Sequence, residues 1–161
     1  MVAAGESRSG NAEQRLQELG IQLPDAPTPL GSYVEAVQTG RLLFLSGMLP
    51  IADHKPKYVG RVGAELDGDA ARDAAYTTAL NALATARQYL GSLNRVTRVV
   101  RLGVFIATSG DFFDQPRVAD GASDLFREVF GREKLPVRLV LGVASLPLGV
   151  PIELEVILEV T

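Results

Sequence analysis

The chain has 161 residues, 47% of them hydrophobic and 22% charged, with a formal net charge of −3. That length accommodates one domain around a single core, and an acidic balance with scattered Lys and Arg is the opposite of a nucleic-acid footprint. With no cysteine and one histidine, disulfides, thiolate nucleophiles, cysteine-ligated clusters and multi-histidine metal sites are excluded.

The opening residues lack the apolar stretch of a secretion signal. Their Gly, Ser and Ala content points to a flexible terminus up to about Asn11, which leaves 11–161 as one domain. No apolar run approaches the roughly 18 residues that span a bilayer. The expectation is a soluble, cytoplasmic protein that binds neither membrane nor nucleic acid.

Residues 11–19 predict a short helix closed by Gly20, and Pro24, Pro27 and Pro29 impose an extended connector after it. Alternation over 33–38 and the apolar run 42–46, joined through Gly40, predict a β-hairpin. The stretch 47–68 is loop-rich, with a short strand expected near 58–62. His54, in the polar segment 53–57, reads as an exposed loop residue. Helical spacing of Ala71, Ala74, Ala75, Thr78, Ala79 and Ala82 predicts a helix over 69–90, capped by Asp67 or Asp69 and stopped at Gly91. Its small side chains suit close packing on a sheet.

A Val- and Ile-rich strand is expected over 95–108. Asp114 can cap a second helix, with Pro116 in its first turn and Val118, Ala122, Leu125, Phe126 and Val129 on its buried stripe. Strands over 138–144 and 152–160 follow. In the last, Ile152, Leu154, Val156, Leu158 and Val160 share one face, and Glu153, Glu155, Ile157 and Glu159 share the other.

This order predicts a two-layer α+β domain with two long helices on one face of a sheet. The other face then needs a partner. Assigned to it, Arg138, Val140, Gly142 and Ala144 are too apolar for water and too polar for a plain core, so the expectation is a subunit interface and a homo-oligomer.

Arg138 is a cation at the start of an apolar strand, and such a group is costly unless paired. Its planar fork matches a carboxylate. Two partners are open to it: Glu153, in a structural salt bridge, or the carboxylate of a substrate. Tyr33 is either half-buried packing or a cleft wall. Ser46 and Gly47 are either a strand end and turn or a polar, closely approachable cleft floor. Glu153 is either the polar half of its strand or a water-orienting base.

Ser46-Gly47 after an apolar strand, the run Arg138-Leu-Val-Leu-Gly-Val-Ala-Ser-Leu-Pro147 and Ile152-Glu153-Leu154-Glu155 resemble the signature of the YjgF family. This is the reactive-intermediate deaminase (RidA) family, formerly called endoribonuclease L-PSP. The stretch 114–125 and the overall length resemble its longer subgroup. The resemblance implies a chorismate-mutase-like fold with a mixed sheet, a homotrimer with clefts between subunits, and hydrolysis of 2-imino acids or their enamines to 2-keto acids and ammonia, without cofactor or metal. It also implies a small carboxylate (2-imino or 2-keto acid) as ligand, held by Arg138, with Glu153 placing the water and Tyr33, Ser46, Gly47, Asp120 and the backbone of Val140 lining the cleft.

The chain departs from the pattern at four positions. Val140 stands where Cys is common, Asp120 where Asn is common and Met48 where Gln is common, and Gly142 replaces a polar residue. These changes suggest a shifted or larger pocket. They keep open a non-catalytic carboxylate-binding trimer. The ribonuclease implied by the older name has less in its favour, since the chain offers no basic groove.

Overall fold

The computed structural model describes residues 10–161; most of the terminus expected to be flexible lies outside the described residues. Helix α1 (Ala12–Glu18) starts at Asn11, whose side chain accepts the Gln14 N–H while the Gln14 side chain accepts the Asn11 N–H. After the proline-rich connector come β1 (Ala36–Thr39) and β2 (Leu42–Leu45), the hairpin expected from the alternation. Strand pairing begins only at Ala36, so Tyr33 lies in the bends before it. Next, β3 (Ile51–Ala52) and β4 (Lys55–Pro56) form a small separate hairpin. The strand expected near 58–62 does not form. Val62 makes isolated bridges to Leu66 and Thr108, and Gly60, at φ 125°, breaks the extended run before it.

Helix α2 (Gly68–Leu90) is capped by Asp67, which accepts the Ala70 N–H at 2.8 Å, and ends on Gly91 at φ 82°. Strand β5 (Val96–Ala107) leads to α3 (Gln115–Phe130), then β6 (Val137–Val143) and β7 (Ile152–Val160). Asp114 precedes α3 but makes no side-chain cap bond, because its backbone (ψ 38°) is not in the extended conformation an N-cap uses. The alanine stripe of α2 and the apolar stripe of α3 are buried as expected. The helices approach so closely that a Cβ on Gly121 would lie 2.2 Å from the Arg72 carbonyl oxygen.

The main sheet has the order β1-β2-β7-β5-β6, with β5 and β6 parallel and the other pairs antiparallel. It is thus a mixed sheet covered on one face by helices. Among the described residues no helix is long and apolar enough to cross a membrane.

The last two strands are not neighbours. The α3 crossover returns the chain parallel to β5, so β5 separates β6 from β7. The facing expected for β6 is also reversed. Arg138 is in register with Leu102, and Val140 with Val104, and both partners are buried on the helix side. The open face instead exposes Val137, Leu139 and Leu141 at one edge and Val37, Leu42 and Phe44 at the other. Alternation establishes that a strand has two unlike faces; it does not say which one meets the helices.

Candidate functional site

A cavity of about 180 Å³ lies where the 24–35 connector, the segment after β2 and the β3–β4 hairpin converge. Tyr33, Ser46 and Gly47 line it together. The Tyr33 hydroxyl accepts the Leu30 N–H at 2.9 Å, which closes a turn in the connector that lines the cavity. The Ser46 hydroxyl donates to the Val34 carbonyl at 2.5 Å and ties the end of β2 to the same connector. His54 is exposed, as expected, at the turn of the β3–β4 hairpin, where it also forms part of the wall.

The floor is set from α2. The buried Asn81 amide donates to the carbonyls of Leu49 and Ile51, each at 2.9 Å, which fixes the backbone that walls the cavity. Sequence reasoning missed Asn81. The only signal was an amide among the alanines of a buried helix face, where a polar group needs hydrogen-bond partners. Met48 is buried, so the residue replacing the usual Gln packs into the core.

Glu153 reaches the cavity's edge through Gly47. A Cβ on Gly47 would fall 2.1 Å from the Glu153 Oε1, so only glycine leaves this carboxylate its place. Glu153 has no hydrogen bond or ion pair among the described residues. Burial pushes its carboxyl above the usual carboxylate range.

Arg138 stands elsewhere, and the salt bridge to Glu153 does not exist. Glu153 is in register with Phe105 and Phe105 with Leu141, three residues along β6 from Arg138. Two strand spacings and three residues put the two Cα atoms roughly 14 Å apart, with the side chains on opposite faces of the sheet. Arg138 Nη1 instead donates to Asp120 Oδ1 at 2.7 Å and to Ser123 Oγ at 3.0 Å, both on α3. The Arg138 side chain remains 27% exposed and that of Asp120 46%. Val140 follows on β6, half-buried against the core and away from the cavity. Gly142 widens nothing: a Cβ there would lie 2.9 Å from Thr108 Oγ1 and 3.2 Å from Gln115 Nε2, so the position serves close packing.

The chain therefore carries two separate pieces. One is a cavity with Tyr33, Ser46, Gly47 and, at its edge, Glu153. The other is Arg138 with Asp120. The cavity wall includes Asp25, Glu35 and Asp53, and no Lys or Arg among the described residues. Alone, it is electrostatically unsuited to an anion.

Residues 13–157 match the family model described as "YjgF/chorismate mutase-like, putative endoribonuclease". The chain is 41% identical to protein TCP17 of Trypanosoma cruzi, over 94% of this chain and 95% of that protein. It is 30% identical to the 2-iminobutanoate/2-iminopropanoate deaminase of Dermatophagoides farinae, over 87% and 94%. The crystal structure of Atu1372 from Agrobacterium tumefaciens, a protein of unknown function, superposes with a TM-score of 0.85 at 37% identity, covering 93% of this chain and 92% of that one. The strands, the two packed helices and the matched sequence agree: the chain belongs to the YjgF family.

Proposed function

We propose that the protein hydrolyses small reactive 2-imino acids, or enamine tautomers such as 2-aminoacrylate, to 2-keto acids and ammonia, without a cofactor, in clefts between the copies of a homotrimer. The observation that carries this reading is the separation of charge within one chain. Among the described residues the cavity has a carboxylate base at its edge and no Lys or Arg, while Arg138 stands at the opposite edge of the sheet. A second copy that brings its β6 edge to the cavity supplies the missing cation. The exposed apolar residues of the open sheet face, Val37 and Phe44 at one edge and Leu139 and Leu141 at the other, offer the surface for that packing. The Dermatophagoides farinae relative, a 2-iminobutanoate/2-iminopropanoate deaminase by name, supports the choice of reaction.

In this reading Arg138 of one copy holds the substrate carboxylate through a charge-assisted pair of hydrogen bonds. The imine carbon, electrophilic when its nitrogen is protonated, then lies beside Glu153 of the next copy. Glu153 takes a proton from water as the water oxygen bonds to that carbon. Glu153 returns that proton to the nitrogen of the tetrahedral adduct, the C–N bond breaks to release ammonia, and the C=O bond forms as the adduct's hydroxyl proton passes to Glu153 and on to solvent. A base with a raised pKa holds a proton closer to neutral pH, where it can both accept and return it.

The test is keto-acid release from enzymatically generated 2-aminoacrylate. Arg138→Ala and Glu153→Gln should each abolish the acceleration. Mixed oligomers refolded from equal amounts of the two inactive chains should regain roughly a quarter of wild-type activity, the share of interfaces that pair an intact Arg138 with an intact Glu153. Wild-type release no faster than buffer would reject the activity, and inactive mixtures would reject the shared site. Arg138, held by Asp120 through Nη1, also suits a second reading, a trimer that binds a small carboxylate without turnover. Saturable binding with no acceleration would select it. Endoribonuclease activity has no comparable support, because an acidic cavity repels a phosphate backbone.

A further inference from the structure

We propose that Asp120 makes the Arg138 site a receptor for a carboxylate and a cationic nitrogen on adjacent carbons, so that it discriminates the iminium or amino acid from the 2-keto acid. The inference rests on the reading of Arg138 as the carboxylate anchor and adds the residue that sets its selectivity.

The guanidinium of Arg138 has five N–H groups in a planar fork. Among the described residues Nη1 alone is engaged, by Asp120 Oδ1 and Ser123 Oγ. The edge formed by Nε and Nη2 has no partner among the described residues, and that edge has the spacing for bidentate contact with a carboxylate. Asp120 and Ser123 sit one turn apart on α3, so their grip on Nη1 orients the plane and leaves the other edge presented. Asp120 likewise spends one oxygen, and Oδ2 has no partner among the described residues. At 46% exposure the carboxylate is accessible to a ligand on Arg138.

A bound carboxylate on the free edge thus lies within a few ångströms of a second, negative carboxylate. Against a ligand whose neighbouring carbon bears a ketone, that charge is only repulsive. Against a ligand whose neighbouring carbon bears –NH3⁺ or =NH2⁺, it becomes an ion pair with a hydrogen bond. In hydrolysis the cationic nitrogen is lost as ammonia and replaced by a carbonyl oxygen, so the same contact that favours substrate turns against product and speeds its release. Neutral Asn at this position would lack the discrimination.

The decisive experiment is calorimetric titration with L-2-aminobutanoate and 2-oxobutanoate, which share a carbon skeleton and differ at the nitrogen-bearing carbon. Wild type should bind the amino acid about tenfold more tightly than the keto acid, the scale of one charge-assisted hydrogen bond. Asp120→Asn should reduce that ratio to near one, chiefly by tightening 2-oxobutanoate. Ser123→Ala, which loosens Arg138 without changing charge, should weaken both ligands and preserve the ratio. Arg138→Ala should lose both. A wild type that prefers 2-oxobutanoate, or an unchanged ratio in Asp120→Asn, overturns the role of Asp120 while leaving the anchor intact. Failure of both ligands to bind wild type overturns this inference, while keto-acid release from 2-aminoacrylate judges the proposed activity independently.

Discussion

Glu13 and Glu153 are both partly shielded carboxylates, and the fold treats them in opposite ways. Glu13 on α1 accepts from Arg87 Nη2 at 2.6 Å and Nε at 3.2 Å, and from the Leu93 N–H at 2.8 Å. Burial pushes its carboxyl up, but these donors outweigh burial and hold it below the usual range. Glu153 meets burial alone, and its carboxyl is raised. The arginines divide in the same way: Arg87 grips its carboxylate with two nitrogens, whereas Arg138 uses one and leaves an edge open. A carboxylate that helps hold the fold together is surrounded by donors. One that is half-buried without them costs stability, and its place beside a cavity is the reason to look there for chemistry.

The largest break in this contrast comes from Glu153→Gln, which should slow keto-acid release about 100-fold or more, as loss of a general base does. The same change should raise the melting midpoint at pH 7 by about 1–3 °C, because it removes a partly desolvated charge. A pair of glycines separates site from scaffold. Gly121→Ala drives a Cβ into the Arg72 backbone and should cost about 2–3 kcal/mol in denaturant unfolding, with little effect on activity per folded molecule. Gly47→Ala meets only the end of the Glu153 side chain, which can swing aside. It should cut activity about tenfold or more by misplacing the base, at a smaller stability cost than Gly121→Ala.

The smallest effect is the most diagnostic of sign. The folded-state pKa of Glu13 is depressed, so its contribution to stability is present above the ordinary carboxylate pKa and is lost as pH falls through the lowered value. That of Glu153 is raised, so the folded state binds more protons in the window just above the ordinary pKa, and stability declines as pH rises through it. Glu13→Gln should therefore destabilise by about 1 kcal/mol at neutral pH and flatten the acid limb of the urea midpoint. Glu153→Gln should flatten the opposite slope. Parallel pH profiles for the two variants would break the comparison.

Much of the local structure was legible in the residues because its causes are local. Asp67 and Gly91 bracket α2, Gly131 follows α3, and the alternation of 152–160 matches β7 residue for residue. The weak points were segments where pairing rather than pattern decides, such as the strand expected near 58–62 and the hairpin of 51–56. The site was legible in part. Tyr33, Ser46 and Gly47 do converge, and Glu153 stands at their edge. Asn81 was not found, since a hydrogen bond to a distant loop carbonyl leaves no periodic trace.

By itself the sequence determined the elements, their caps, the buried stripes of both helices and the residue types able to hold a carboxylate or move a proton. These follow from dihedral preferences and from periods of 3.6 and 2 that act within a few residues. Only the tertiary structure decided that β5 runs between β6 and β7, that Arg138 faces the helices and meets Asp120, and that Glu153 has no donor among the described residues. Strand order and facing depend on which distant segment a strand pairs with, and a period-two pattern is unchanged when its two faces are exchanged.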